Sequence, residues 1–142
     1  MNPENKCAHL FNQDIPELKD GEQSLVKMFE MQKSLQERLG QNFDSMTLHE
    51  RTKWIKENWN YVTGEYVELL ERLPFKTWKT YSEEQKSDFQ SEEEKLETWY
   101  EFIDMVHFVL NIGLLLGIDG KTAWRLYATK NKENFDRQER GY

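Results

Sequence analysis

Two pairs of acidic residues, each set among hydrophobic residues, constrain this chain more than any other feature. Glu101 and Asp104 lie three residues apart, and Glu65 and Glu68 repeat that spacing upstream. On a helix, residues three apart lie on one face, so each pair presents two carboxylates together. Burying carboxylates is costly unless positive charge meets them. The two pairs therefore predict two helices whose acidic faces enclose hard metal cations.

The hydrophobic residues around the second pair cover nearly every direction of the helix that they predict. We therefore expect this helix to be buried on almost all sides. Its hydrophobic residues are Phe102, Ile103, Met105, Val106, Phe108, Val109 and Leu110.

Hydrophobic residues recur at helical spacing along most of the chain, and the alternation typical of strands is absent. A stripe from Leu25 to Leu39 predicts a first helix that ends near Gly40. A capping box, Thr47 to Glu50, predicts the start of a second helix, which runs to Pro74 and carries the first acidic pair.

A second capping box, Ser91 to Glu94, predicts the start of the central helix, which runs to Gly117. Either Asp119 or Thr122 is expected to cap a last helix. The connector before the central helix has room for one more short helical turn.

These elements predict an all-α bundle of four to five main helices. The bundle is expected to span residues 22–142, and residues 1–21 are expected to form a loosely ordered arm. Because Cys7 is the only cysteine, the chain can form neither an intrachain disulfide nor a cysteine-based zinc site.

The net charge of −7 argues against binding to nucleic acid or to anionic membranes. The N-terminal residues lack the hydrophobic core of a signal peptide. The longest hydrophobic stretch, residues 102–116, is interrupted by polar residues and is too short to span a bilayer. We therefore expect a cytoplasmic protein that binds neither nucleic acid nor membrane.

Acidic pairs at this spacing are common in so acidic a chain, so only the hydrophobic context distinguishes these two. The competing interpretation is that the acids pair with Arg or Lys where helices meet. In that case the chain would be a non-catalytic helical interaction module.

The last helix carries two cations and an amide on one face, because Lys130, Asn134 and Arg137 are spaced by four and three residues. Taken alone, a basic helix end commonly reflects favourable pairing with the helix dipole. Beside four carboxylates, the same face would hold phosphate, with metal ions between the acids and the phosphate oxygens. The combination indicates metal-assisted hydrolysis of a polyphosphate.

The two acidic pairs, in the pattern Glu-x-x-Glu followed by Glu-x-x-Asp, resemble those of the all-α nucleoside triphosphate pyrophosphatases. This superfamily includes the MazG-like enzymes and the dimeric dUTPases. Three further segments resemble the dimeric dUTPase branch, and the similarity runs from about Met28 to the end of the chain. They are the aromatic-lysine segment 75–79, the second metal motif 101–110 with its His-Phe, and the C-terminal motif 127–142.

The resemblance implies a metal-dependent enzyme that converts dUTP to dUMP and pyrophosphate. Mg²⁺, or Mn²⁺ in its place, would be bound by the two acidic pairs, and Glu68 would also activate the attacking water. The implied metal ligands are Glu65, Glu68, Glu101 and Asp104. The implied phosphate-binding residues are Lys130, Asn131, Asn134 and Arg137. The implied partners are the nucleotide and a second copy of the chain in a homodimer, or further copies in a homotetramer.

The resemblance also implies that Gln32, Gln36 and Trp54 bind the base, whereas Trp59 is expected in the core. The simpler alternatives are that both glutamines are solvated polar residues and that Trp54 fills the core. The family's first-helix motif has an Asn where this chain has Gln36, which puts uracil selectivity in doubt. The alternative enzyme is a MazG-like pyrophosphohydrolase of another nucleotide, such as dGTP or dATP. An enzyme of this type would suit a bacterium or a virus-infected host cell.

Overall fold

The computed structural model describes residues 6–12 and 23–141, and within these ranges the chain is helical and has no strand. Short 3-10 turns lie at Ala8–Asn12 and Phe43–Ser45. The predicted all-α fold class is therefore confirmed. The five α-helices are α1 (Ser24–Arg38), α2 (Leu48–Glu71), α3 (Glu83–Ser87), α4 (Glu92–Leu115) and α5 (Gly120–Glu139).

The chain divides into two compact units, and the two long helices contribute to both. The first unit contains residues 57–109 together with the N-terminal residues 6–12. The second unit contains residues 23–56 and 110–141. Most of the predicted arm, residues 1–21, lies outside the described residues. The described part, residues 6–12, contacts α4 in the first unit.

The helix starts that the capping patterns predict are present in the structure. At α2, Glu50 N–H donates to the Thr47 hydroxyl at 3.2 Å, and Thr47 N–H donates to the Glu50 carboxylate at 2.8 Å. At α5, the Asp119 carboxylate accepts from Thr122 N–H at 2.8 Å, so Asp119 is the cap. These bonds satisfy backbone donors that the first helical turn leaves without partners.

The start of α4 differs from the predicted capping box in one bond. Ser91 accepts from Glu94 N–H at 3.0 Å, as expected, but the Glu94 carboxylate accepts from Gln90 N–H instead of returning to Ser91. A complete capping box, Ser82 with Gln85, starts α3 within the connector. The expected short helical turn in the connector is therefore confirmed.

In the second unit, the N-terminus of α5 packs directly on the backbone of α1. A Cβ atom at Gly120 would overlap the Cα and N of Val26, so only glycine fits at this contact. The Phe29 ring packs equally closely on Gly113, where a Cβ would lie 2.9 Å from the ring. Glycine is required here for close approach, since neither residue has a positive φ.

The expectation that α4 is buried on nearly all sides is wrong. Trp99, Phe102 and Val109 expose about half of their surface, at 48%, 56% and 48%. Trp59, expected in the core, is 59% exposed. Within the described residues, a single chain has too few helices to cover every hydrophobic face that its sequence carries.

No single helix of the described residues has the length and hydropathy needed to cross a membrane. The bent pair of α4 and α5 meets that test of length and composition only when the two helices are taken together.

We expect Gly120→Ala to destabilise the fold by about 1–3 kcal/mol, because the added methyl group must displace the α1 backbone. Gly64→Ala is the matched control. Gly64 lies inside α2 with nothing within 4 Å of its Cβ position, so the same change should stabilise the fold by about 0.5–1 kcal/mol. Urea unfolding of both variants measures the difference. Equal effects of the two substitutions would contradict the close contact at Gly120.

Candidate active site

Three of the four predicted metal ligands meet in the first unit. Glu65 on α2 and Glu101 and Asp104 on α4 each place one carboxylate oxygen within 4.8 Å of the other two. The fourth acid, Glu68, lies one turn along α2 and hydrogen bonds to the Glu65 side chain. The structure thus brings together both acidic pairs that the sequence singled out. We refer to these four residues as the acidic cluster.

The proximity of these acids changes their protonation. Partial burial, together with the charges of Glu68, Asp104 and Glu101, raises the pKa of Glu65 from 4.5 to about 7. Desolvation and the neighbouring Glu101 also raise the pKa of Asp104, while His107 opposes that shift. A raised pKa means that the charged form of these carboxyl groups is unfavourable in this place, and a bound cation would stabilise that charged form.

One member of the acidic cluster is already paired with a cation of the chain. Arg72 Nε donates to Glu101 Oε1 at 2.7 Å, and both side chains are nearly buried. Arg72 Nη2 lies 3.8 Å from Oε2 of a further carboxylate, Glu97, whose side chain is only 5% exposed. The competing interpretation of the sequence, ion pairing between helices, is therefore correct for Glu101.

The described N-terminal residues contact α4 close to Arg72 and Glu97. Ala8 N–H donates to Glu97 Oε1, and Lys6 forms an ion pair of 3.0 Å with Glu93 on the exposed side of α4. Burial raises the pKa of the Cys7 thiol, and the charges of Glu97, Asp104 and Glu101 raise it further. Residues 6–8 therefore cover part of α4 beside the acidic cluster.

Sequence reasoning missed Arg72 and Glu97, although the helical spacing contains them. Arg72 lies four residues after Glu68, and Glu97 lies four residues before Glu101. Each extends its acidic pair by one turn on the same helical face. Extending the two pairs in both directions along their helices would have identified both residues.

The predicted phosphate-binding residues lie on α5, in the second unit. Lys130, Asn131 and Asn134 are exposed, and Arg137 is half-buried. Arg137 forms an i,i+4 ion pair of 3.1 Å with Glu133. The expected polar face of α5 is therefore present, and its role in binding phosphate stays a prediction.

The three predicted base-binding residues also belong to the second unit, and each has a different environment. Gln32 is only 4% exposed, and its Nε2 donates to Asn111 Oδ1 at 2.8 Å, so the alternative of a solvated side chain is wrong. Gln36 is half-buried and lines a cavity of about 110 Å³, and Trp54 is 37% exposed. Asn111, itself buried, is a partner that the sequence did not indicate.

The connector between α2 and α4 encloses a separate cavity of about 570 Å³. Its walls include Arg72, Lys76 and Lys79, so the aromatic-lysine segment borders it. None of the four acids of the acidic cluster lines it. This cavity is distinct from the predicted metal site, although Arg72 contributes to both places.

The donor atoms of the acidic cluster fit a hard divalent cation. Mg²⁺ prefers oxygen ligands and is typically held by one or two carboxylates together with water and substrate phosphates. Three carboxylate oxygens within 4.8 Å of one another, two of them on groups with raised pKa, supply such a donor set. Pairing with Lys or Arg does not account for Glu65 and Asp104, because burial and their acidic neighbours raise the pKa of both carboxyl groups.

Comparison with known proteins gives a consistent result. Residues 24–122 match the model of a protein family described as dUTPase. The chain is 32% identical to a dCTP pyrophosphatase of Enterobacteria phage T4 and 33% identical to a dCTP pyrophosphatase of Enterobacteria phage LZ5. In both cases the alignment covers 97% of this chain and 98% of the relative. It extends over 168 positions, so each relative has residues with no counterpart here.

A third relative is a DNA replication protein of Enterobacteria phage T4. It is 31% identical over 90% of this chain, which covers only 40% of that larger protein. No solved structure matches the chain.

An all-helical chain with two facing acidic pairs and these relatives is a nucleoside triphosphate pyrophosphohydrolase. Within that class, the chain belongs to the dUTPase family of all-α nucleoside triphosphate pyrophosphatases.

The raised pKa of Glu65 predicts how the stability of the metal-free protein depends on pH. Its pKa is about 7 in the folded chain, against 4.5 ordinarily, so folding favours the protonated form. This contribution to stability is complete below pH 4.5 and is lost as the pH rises through about 7. Allowing for solvent screening, we expect a loss of about 1 kcal/mol. It is measured as the free energy of unfolding of the wild type minus that of Glu65→Gln, both in EDTA. A difference between the two proteins that does not change from pH 4 to 8 would contradict the shift.

Proposed function

We propose that this enzyme hydrolyses dCTP to dCMP and pyrophosphate, with Mg²⁺ bound at the acidic cluster. Two relatives named dCTP pyrophosphatase, each aligned over nearly its whole length, support dCTP as the substrate. Three acidic side chains that converge from two helices support the metal site.

In this proposal Glu65, Glu101 and Asp104 hold the metal ion through their carboxylate oxygens. When bound, the metal ion neutralises the triphosphate and lowers the pKa of a coordinated water. Glu68 accepts the proton of the attacking water. Its position one turn along α2 from Glu65 keeps this carboxylate beside the site, and its exposure allows it to pass the proton to solvent.

The exposed polar face of α5 is proposed to bind the triphosphate. Lys130 and Arg137 supply positive charge, and Asn131 and Asn134 supply amide donors to the phosphate oxygens. The ion pair with Glu133 holds the Arg137 guanidinium in place. To bind a phosphate, the guanidinium must either contact both groups or release Glu133. Cleavage of the α–β phosphoanhydride bond releases the monophosphate and pyrophosphate.

Base selection is proposed to depend on the paired amides in the second unit. Cytosine and uracil differ by exchange of a donor for an acceptor at two ring positions, and an amide matches either base if it can rotate. The hydrogen bond from Gln32 to Asn111 restrains that rotation. A restrained amide distinguishes the two bases, because the wrong base leaves buried polar atoms without partners.

The second candidate substrate is dUTP. The match of residues 24–122 to a family described as dUTPase favours it. The Gln at position 36, where the dimeric dUTPases have Asn, supports ranking dUTP below dCTP.

Pyrophosphate release from a panel of canonical dNTPs and dUTP, with Mg²⁺ and with EDTA, tests this proposal. We expect dCTP to have the highest kcat/KM and EDTA to abolish turnover. Asp104→Asn should lower kcat roughly 100-fold or more, because it removes a charged metal ligand. The control Glu83→Gln, in an ion pair with Lys86 at the surface, should leave kcat unchanged. Turnover that persists in EDTA would contradict the metal mechanism, and preference for a purine nucleotide would overturn the assigned base.

We also propose that the chain functions as a homodimer that uses the exposed hydrophobic face of α4. Phe102, Ile103 and Val109 lie on this helix with 56%, 39% and 48% of their surface exposed. Exposed hydrophobic surface of this extent is typical of an interface.

Phe102→Ser should weaken the dimer about tenfold or more, because it removes a large hydrophobic contact. Leu48→Ser is the control, since Leu48 is 73% exposed and is the first residue of α2, not part of α4. Light scattering over a range of protein concentrations gives the dissociation constant. A wild-type protein that stays monomeric at high concentration would contradict the proposal.

A further inference from the structure

Arg72 directly contacts one member of the acidic cluster in the first unit. Its Nε donates to Glu101 Oε1 at 2.7 Å, and its Nη2 lies 3.8 Å from Glu97 Oε2. The three side chains expose only 11%, 12% and 5% of their surface. Because these three side chains have little contact with solvent, the surrounding fold restricts their positions.

Glu97 itself is held from its other side. Ala8 N–H donates to Oε1, while Arg72 approaches Oε2, so both carboxylate oxygens have partners. Glu97 lies at ion-pair distance from Arg72, so its charge attracts the guanidinium to this position. The chain of contacts therefore runs from the N-terminal segment through Glu97 and Arg72 to Glu101.

We propose that Arg72 is a positioning residue for the metal ligand Glu101, and that Glu97 acts through Arg72. A guanidinium on one oxygen of Glu101 fixes the plane of that carboxylate, and with it the direction of the second oxygen. Glu97 lies outside the group of acids whose oxygens converge within 4.8 Å, so it orients Arg72 and does not bind the metal. The inference rests on the proposed metal site.

Positioning and simple charge compensation predict opposite signs for the effect of removing Arg72. A guanidinium repels a divalent cation nearby, so loss of its charge alone would tighten Mg²⁺ binding. Loss of an orienting partner instead weakens metal affinity, typically by about 10–100-fold. The sign of the change therefore decides between the two roles.

The experiment is calorimetric titration of Mg²⁺ into nucleotide-free wild type, Arg72→Met, Arg72→Lys and Glu97→Gln. We expect Arg72→Met to bind Mg²⁺ roughly 10–100-fold more weakly, and Arg72→Lys to recover part of the loss because it keeps a donor to Glu101 without the planar fork. At saturating Mg²⁺, KM for the nucleotide should stay within twofold of wild type, because a positioning role gives Arg72 no contact with the nucleotide. Arg140→Met is the matched control, since it removes an exposed ion pair with Glu133 and should leave Mg²⁺ affinity unchanged.

Mg²⁺ affinity that is unchanged or tighter in folded Arg72→Met would overturn the positioning role. If neither Arg72 variant folds, Glu97→Gln decides, because it keeps the guanidinium and removes only its anchor. Weaker Mg²⁺ binding by Glu97→Gln than by Glu93→Gln, which removes a like charge from the exposed side of the same helix, then supports the proposal, and equal binding by the two variants overturns it. Absence of Mg²⁺ binding by the wild type would overturn the metal site of the proposed function and this inference with it.

Discussion

Repulsion between carboxylates held close together is the constraint on which the first unit depends. Glu65, Glu101 and Asp104 come from two helices, and folding brings them within a few ångströms of one another. Part of the cost is met by protonation, as the raised pKa of Glu65 shows. Another part is met by Arg72, which pairs with Glu101 and Glu97. The fold is therefore less stable than it would be without these acids, and it contains a site with high negative charge.

Much of the fold follows from local sequence. Hydrophobic spacing and capping residues such as Thr47 and Asp119 specify where helices begin, because both act within a turn or two of the chain. The degree of burial does not follow in the same way. Trp59 and Phe102 have the spacing of core residues yet are exposed, because hydrophobic periodicity specifies a face and not what covers that face.

The candidate site was predictable where its residues form a motif. The four acids of the acidic cluster were identified from spacing and context, and the structure brings them together. Gln32 was identified from a resemblance, but its bond to Asn111 joins residues 79 positions apart and leaves no signal in a single sequence. Arg72 and Glu97 were missed for another reason. In the sequence, a charged residue one turn beyond a motif cannot be told from a solvated surface residue.

The docking of the N-terminal segment on Glu97 has an evolutionary consequence. Loss of Arg72 alone would remove the guanidinium from a nearly buried Glu97 carboxylate, which is strongly unfavourable. Loss of Glu97 alone would remove one ion-pair partner from the nearly buried guanidinium. Among related chains, positions 72 and 97 should therefore change together. Relatives that have lost both Arg72 and Glu97 should also vary in sequence around Ala8, since that segment then has no carboxylate to cover.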